Sequence, residues 1–352
     1  MLKRISIQNF KSLKDVTLDL QKVNLLIGPN NSGKTNFLKA LEYMAKENTN
    51  QQEPEYERLL FKHHQSDLIA IELFYTHDKE YNVQTIFSCQ VGSNAQIERS
   101  KDLIQHGRRS NGTKLHYNPD ELKQRLNPLI IYKPDPNKLV QPADFSADEI
   151  ELKGDCSNLI PFLFYLNTNY KRAYQKIEKD LDRCVQDIIS FSTPPVKIGK
   201  DSKLGLKFFG KQDEEYWAED VSEGVLYFLA LLTIINQPNP PKLLLLEEPE
   251  KGIHPRRIEE VINFIFGLAD DKDIQVIMTT HSPAVVDMFK DMPESVFIFD
   301  KDEEGATHVK NLQRDIIEPE TAESEKAGFD PPQYLNGLGE AWKVGFIGGI
   351  PR

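Results

Sequence analysis

A chain of 352 residues, 39% hydrophobic and 28% charged, is long enough for one large domain or two ordinary ones and has the composition of a globular protein. Its formal net charge of −11 disfavours sequence-blind adhesion to nucleic acid, and its longest apolar run, Val225 to Ile235, is too short to span a bilayer. Three scattered cysteines (Cys89, Cys156, Cys184) without metal-ligand spacing, and a start (Met1-Leu2-Lys3-Arg4-Ile5) lacking a signal-peptide core, point to a reduced cytoplasm.

In chain order, Ile5 and Ile7, then Val16, Leu18 and Leu20, alternate with polar residues and predict two strands joined by a turn at Asn9 to Asp15. Val23 to Ile27 is a continuous apolar run, expected as a buried strand. It leads into Gly28-Pro29-Asn30-Asn31-Ser32-Gly33-Lys34-Thr35, which fits G-x-x-x-x-G-K-[ST] at every fixed position. Beyond it Phe37, Leu38, Leu41 and Met44 recur at helical spacing. Strand, glycine loop and helix together make a phosphate-binding loop: the glycines let the backbone wrap a polyphosphate, with N–H groups and the helix N-terminus aimed at negative charge. Lys34 is placed to reach the β- and γ-phosphates and the Thr35 hydroxyl to ligate Mg²⁺. Asn30, Asn31, Ser32, Gly33, Lys34, Thr35 and Asn36 are the expected contacts to a nucleoside triphosphate.

Further on, Leu68 to Tyr75 and Tyr81 to Ser88 predict a hairpin, and the polar stretch from Ala95 to Asn118 a loop. Arg99, Lys101, Arg108, Arg109 and Lys114 form a modest basic concentration there, for which a solvated surface is the simpler reading. Leu159 to Phe191 carries helical periodicity, stopped at Thr193-Pro194-Pro195. Val221 to Ile235 predicts an apolar helix, Lys242 to Leu246 a buried strand, and Pro255 to Leu268 a helix with proline in its first turn. Ile274 to Met278 and Val296 to Phe299 predict two more strands. No repeat or heptad run breaks the chain, so one composite α/β domain with a long insertion is expected.

The strand Leu243-Leu244-Leu245-Leu246 ends in Glu247-Glu248, and an open α/β sheet binds ligands at the C-terminal ends of its strands. Glu247 is expected to hold Mg²⁺, directly or through water, and Glu248 to orient and deprotonate the attacking water. Ser222 opens the apolar helix either as a plain N-cap or, with Gly224, as a seat for a terminal phosphate. His281, after the strand ending at Met278, falls at the same sheet edge as the acids.

These segments resemble the ATP-binding-cassette ATPase heads of the SMC/RecF/OLD group. The resemblance is carried by Asn9-Phe10-Lys11-Ser12-Leu13, the phosphate loop, Asp155-Cys156-Ser157-Asn158-Leu159, Ser222-Glu223-Gly224, Glu247-Glu248-Pro249-Glu250 and Thr279-Thr280-His281-Ser282-Pro283, in the right order over residues 1–312. It implies a P-loop NTPase of ABC-ATPase type, with a mixed sheet, flanking helices, an N-terminal antiparallel β lobe and a helical insertion within residues 95–205. Residues 313–352, with Leu338 to Lys343 and Gly348-Gly349-Ile350-Pro351, look like the tail of stand-alone ATPases of this group and form a candidate partner-docking segment. It implies a homodimer around two ATP molecules: Lys34, Thr35, Glu247, Glu248 and His281 from one subunit, Ser222 and Gly224 from the other, and Lys11 among the nucleotide contacts. A helix start that seats a γ-phosphate has no evident partner within its own subunit.

Departures from the family pattern bear on turnover. Glu247 stands where an aspartate is usual, the signature is Ser-Glu-Gly, and Gly252-Ile253-His254-Pro255 replaces the intersubunit aspartate loop. No glutamine for the loop after the first lobe is identifiable beyond the candidates Gln84 and Gln141. Hydrolysis is therefore expected to be slow or partner-dependent. The function implied is an ATPase switch for a separately encoded effector such as a nuclease, in bacterial anti-phage defence. The alternatives are a RecF-like ATPase acting directly on DNA, which the acid excess disfavours, and an ATP-stabilised scaffold with little turnover. A transporter motor is disfavoured by the signature, the insertion and the Asn9 to Leu13 opening.

Overall fold

The computed structural model describes residues 1–45, 58–63, 68–77, 81–91, 97–106, 129–145, 150–185 and 187–350. In β1 (Leu2–Phe10) and β2 (Leu13–Asp19) the alternating apolar side chains are buried, and in β3 (Val23–Ile27) every residue is buried. Helix α1 (Lys34–Ala45) buries the predicted stripe of Phe37, Leu38, Leu41 and Met44. Strands β4 (Ile69–His77), β5 (Tyr81–Val91) and β6 (Ile97–His106) follow. Next come β7 (Ile131–Tyr132), the short α2 (Pro136–Leu139), α3 (Leu159–Asn169) and α4 (Lys171–Cys184). Five short strands come next: β8 (Ile188–Ser192), β9 (Pro195–Ile198), β10 (Asp201–Leu204), β11 (Lys207–Gly210) and β12 (Glu215–Trp217). They lead to α5 (Glu223–Asn236), β13 (Leu243–Glu247), α6 (Pro255–Lys272), β14 (Gln275–Thr279) and α7 (Pro283–Asp287). The chain closes with β15 (Val296–Lys301), β16 (Thr307–Asn311), α8 (Glu318–Ala327) and α9 (Leu338–Lys343).

Two compact units result. The first comprises Met1–Leu129, Leu243–Glu247 and Leu268–Arg352. Its N-terminal sheet runs β2-β1-β4-β5-β6, antiparallel throughout. Residues 97–106, expected as loop, are β6, paired from Ile97 opposite Val91 to His106 opposite Asn82. The segment is polar because an edge strand is held by backbone bonds to one neighbour, so its side chains need no apolar pattern. Arg99 and Lys101 sit on this strand; Arg108, Arg109 and Lys114 lie outside the described residues.

The second sheet of this unit runs β16-β15-β3-β14-β13, with β16 antiparallel to β15 and the other neighbours parallel. It is the expected mixed sheet. Leu243 to Leu246 and Gln275 to Thr279 are buried along their length, as parallel strands covered on both faces require. The register sets Glu247 opposite Thr279 and Thr279 opposite Leu26. Three strand ends therefore share one sheet edge.

The second unit comprises Ile130–Lys242 and Glu248–Gly267. The periodicity read as helix through Phe191 ends at Cys184; Phe191 belongs to β8, in a small sheet of order β12-β11-β8. The Tyr174 ring lies 4.9 Å from that of Phe191 and its hydroxyl donates to the Phe191 carbonyl at 2.9 Å. The aromatic pair is therefore made between a helix and a strand. Helix α5 is buried from Leu226 to Asn236, and the Phe228 ring meets Phe264 of α6 edge-on at 5.1 Å, so α5 is a core helix rather than an amphipathic one. Among the described residues no helix is long and apolar enough to cross a membrane.

Candidate nucleotide site

In the first unit the phosphate loop leaves β3 and enters α1 with both glycines forced by geometry. Gly28 has φ 141°, and a Cβ there would overlap the Phe299 carbonyl oxygen. Gly33 has φ 110°, and a Cβ would overlap the Thr307 hydroxyl and lie 3.0 Å from Ser12 Oγ. Asn31 adopts φ 65°, a region asparagine tolerates better than most residues, and its Oδ1 accepts from Lys301 Nζ at 3.1 Å. Lys34 is 4% exposed, with Nζ donating to the carbonyls of Gly28 (2.8 Å) and Pro29 (2.9 Å). Ser32 Oγ is buried without a hydrogen-bond partner. The first α-helical bond runs from Phe37 N to Gly33 O, leaving the preceding N–H groups as donors without an α-helical acceptor. An orphaned hydroxyl, a buried ammonium on neutral carbonyls and a helix start without an acidic first turn suit a phosphate chain.

Thr35 Oγ1 donates to Glu247 Oε1 at 3.0 Å, bringing together the two residues expected to hold Mg²⁺, though they are 212 positions apart. Among the described residues no group of three or more His, Cys, Asp or Glu is placed to hold a metal. Mg²⁺ does not need one, since it is commonly held by one or two protein oxygens plus phosphate and water. His281 is exposed just beyond β14, at the same edge, after the buried Thr280 whose N–H donates to the Leu26 carbonyl.

A network absent from the sequence reading braces the loop. Thr307 Oγ1 lies 2.8 Å from Ser12 Oγ and 2.9 Å from the Ser32 carbonyl, and Asn36 Nδ2 donates to Ser12 Oγ at 2.9 Å. No local signal marks Thr307, because its partners lie 295 and 275 residues away. Beside it opens a cavity of about 360 Å³, lined by Lys11, Ser12, Asn36, Arg58, Lys62 and Lys301 among others. Glu304 also lines it, paired with Lys62 at 3.3 Å. Burial, then the Lys39 ammonium, pushes Lys11 below the usual lysine range, and burial does the same to Lys301. This concentration of cations suits an anionic ligand.

The tail reaches the back of the same loop. Gly349, at φ 67°, is packed so that a Cβ would lie 2.6 Å from Ile298 Cγ2 and 3.5 Å from the Cα of Gly28. The Trp342 indole N–H donates to the Gly349 carbonyl at 3.1 Å. At its other end Gly339 N–H donates to Asp287 Oδ1 at 2.7 Å, and a Cβ on Gly339 would overlap the Pro283 carbonyl.

In the second unit Ser222 is the N-cap residue of α5, extended at φ −68° and ψ 149°, but its side chain makes no capping hydrogen bond. Gly224 is buried, yet a Cβ there would meet only Ser222 Oγ, at 3.9 Å, so neither packing nor dihedral demands glycine. Glu248 holds φ 50°, an unfavourable region for glutamate, and its Oε2 lies 3.3 Å from Lys133 Nζ and 3.5 Å from Lys251 Nζ. Lys133 also escaped the sequence reading, since a lone lysine after a two-residue strand carries no motif. Of the glutamines considered, Gln84 lies within β5, and Gln141 follows α2 with its amide donating to the Asn137 carbonyl.

Residues 23–287 match the family described as "AAA domain, putative AbiEii toxin, Type IV TA system". An OLD nuclease of Thermus scotoductus is 21% identical over 335 aligned residues, covering 82% of this chain and 60% of that protein, so the chain spans about three-fifths of that relative. An ATP/GTP phosphatase of Helicobacter pylori is 24% identical, covering 82% of this chain and 87% of the relative. Among solved structures, the SMC head domain from Thermotoga maritima superimposes with a TM-score of 0.54 at 13% identity, over 88% of this chain and 98% of that one. An SMC head bound to the C-winged helix domain of ScpA gives 0.54 at 16% identity, over 88% and 96%.

Proposed function

The chain belongs to this AAA_21 family and is an ATPase of the P-loop, ABC/SMC-like type, and from that premise we propose that ATP binding and hydrolysis make it a two-state switch. In this reading ATP closes a homodimer, hydrolysis reopens it, and a separately encoded effector, such as a nuclease, responds to the closed state. Bacterial anti-phage defence is the proposed setting, supported by the similarity to an OLD nuclease and by the family's toxin–antitoxin description. A protein partner on a head of this fold has a precedent in the SMC head bound to ScpA.

One observation carries the reading: Thr35 and Glu247 meet at 3.0 Å at the sheet edge where the phosphate loop opens. Lys34 exchanges the Gly28 and Pro29 carbonyls for the β- and γ-phosphates, and loop N–H groups with Ser32 Oγ take up phosphate oxygens. Asn30, Asn31 and Asn36 flank the chain of phosphates, and Lys11 faces it from the β1–β2 turn. Mg²⁺, held by Thr35 and Glu247, supplies charge neutralisation on the phosphates when bound. Water attacks the γ-phosphorus, the bond to the β–γ bridging oxygen breaks, ADP leaves with that electron pair, and Glu248 takes the water's proton. His281 orients the γ-phosphate. Across the dimer, Ser222 and the open helix start at Gly224 face the partner's γ-phosphate, in keeping with a cap hydroxyl unused within its own helix.

The test is calorimetric. The protein is expected to bind ATP with Mg²⁺, and Lys34→Ala to weaken that binding at least tenfold. Equal affinity in the variant overturns the site assignment.

A further inference from the structure

The cavity of about 360 Å³ beside Asn36 lies wholly within the first unit and is built from segments that the fold clips together. The β1–β2 turn supplies Lys11 and Ser12, and the stretch 58–62 supplies Arg58 and Lys62. Lys11 N–H donates to the Leu59 carbonyl at 2.6 Å, and Phe10 is bridged to Leu60, so these two walls are fixed to each other. The β15–β16 turn supplies Glu304, and Thr307 N–H, just beyond it, donates to the Ser12 carbonyl at 2.8 Å. Walls joined by backbone bonds make a preformed pocket, and its volume is that of a small-ligand site.

Sheet order decides which end of a nucleotide reaches it. β3, which carries the phosphate loop, lies between β15 and β14, with β13 beyond β14. Thr35 meets Glu247 on the β13 side of the loop, and the β15–β16 turn is on the other side. A triphosphate whose γ-end lies near Glu247 therefore leads its nucleoside toward the cavity. The lining there is rich in donors. Lys11, Arg58, Lys62 and Lys301 offer N–H groups alone, and Glu304 is the one carboxylate among the described lining residues, paired with Lys62 at 3.3 Å. Phe61 is 7% exposed, with the Lys14 and Lys62 ammonium groups 5.9 Å and 5.4 Å from its ring centre, so its ring is covered rather than open to stacking. A base in this cavity is read at its edge, by donors.

We propose that the site takes 6-oxopurine nucleoside triphosphates, GTP and ITP, at least as tightly as ATP, with Arg58 and Lys62 donating to O6 and N7 of the base. The proposal rests on the ATPase-switch reading above and widens its substrate class. Guanine and hypoxanthine present two neighbouring acceptors, N7 and O6, whereas adenine presents N7 beside an amino group that is itself a donor. An ammonium or guanidinium group satisfies the first pattern and leaves the adenine amino group facing other donors. Lys11 faces the phosphates and Lys301 Nζ donates to Asn31 Oδ1 at 3.1 Å, so Arg58 and Lys62 are the cations left to the base. The Lys62–Glu304 pair is exposed to water and weakly held, so a charge-assisted bond to O6 replaces it at little cost. ATP remains a substrate, because the loop holds the same phosphates whatever the base.

The experiment compares non-hydrolysable analogues of ATP, GTP and ITP, each with Mg²⁺, on the full chain by calorimetry. The GTP and ITP analogues are expected to bind with dissociation constants equal to or below that of the ATP analogue. ITP is the informative ligand, because it keeps O6 and lacks the 2-amino group of guanine. Joint replacement Arg58→Met and Lys62→Met is expected to move the GTP-to-ATP affinity ratio about tenfold toward ATP, while Lys62→Arg alone preserves it. An ATP analogue bound more than about threefold tighter than the other two overturns the proposal. So does tight GTP binding with weak ITP binding, which would mean that the 2-amino group is read instead, and so does a ratio that the double replacement leaves unmoved. Failure of the wild-type chain to bind any of the three would instead overturn the ATPase-switch reading on which the proposal rests.

Discussion

At the scale of single residues, Glu248 combines positive φ, partial burial and two ammonium neighbours on one oxygen. A backbone held in that region costs of order 1–3 kcal/mol and persists where the surroundings over-determine it. We propose that this strain is held because Glu248 serves as the base for the attacking water. Glu248→Gln keeps the shape and hydrogen-bonding reach but cannot accept the proton. It is expected to retain ATP binding and lose turnover by about a hundred- to ten-thousand-fold, measured as phosphate release under saturating ATP. If Glu247→Gln abolishes turnover while Glu248→Gln leaves it intact, the roles of the two acids are reversed. The residues legible in the sequence were those whose chemistry needs fixed local spacing: Gly28, Gly33, Lys34 and Thr35 sit in one turn, and Glu247 ends an apolar strand. Thr307, Lys133 and Gly349 were not legible. Each acts on a partner brought near by folding alone, as Thr307 does on Ser12 across 295 positions.

At the scale of elements, burial decided what could be read. β3, β13 and β14 are buried along nearly their whole length and announce themselves as apolar runs. β6 and the strands β8 to β12 are short, polar or at an edge, and their pairing leaves little trace in side-chain pattern. The tail is the element whose contacts matter most for its length. Through α9 it spans from the Pro283 carbonyl, two residues after His281, to Gly28 of the phosphate loop. We propose that it sets the loop's position and that its exposed face, with Phe346 70% and Val344 52% exposed, meets the effector. Gly349→Val tests the first part. It places a branched side chain at φ 67° against Ile298 and Gly28, a strain of about 1–3 kcal/mol. The expected result is a lowered melting temperature and ATP affinity reduced about tenfold. A variant that melts lower yet binds ATP as tightly as wild type would show that the tail braces the fold without setting the loop.

At the scale of the whole molecule, the question is whether one chain is a complete enzyme. Ser222 motivates the answer we propose. Its backbone is set for a helix cap, its hydroxyl caps nothing, and the glycine two residues on has open space where a Cβ would stand. A phosphate from a second copy would satisfy that helix start, and a closed, two-fold dimer would place both starts equivalently. ATP is therefore expected to convert the protein to a dimer in light-scattering measurements, held longest in Glu248→Gln, where hydrolysis cannot release it. Ser222→Arg is expected to block dimer closure and turnover while leaving ATP affinity of the single subunit unchanged, because the arginine intrudes only on the interface. Mixing Ser222→Arg with Lys34→Ala is the sharper measurement. In a mixed dimer one site lacks both groups and the other has both intact, so random pairing restores roughly a quarter of wild-type turnover if each site fires alone. Turnover that stays proportional to protein concentration down to a demonstrable monomer would place the whole site within one subunit and leave Ser222 as a helix start. Stable ATP-dependent dimers that release no phosphate, alone or with a candidate effector, would oppose the switch. Recovered turnover in the mixture, absent from either variant alone, requires that the Ser222 of one copy complete the Lys34 site of the other.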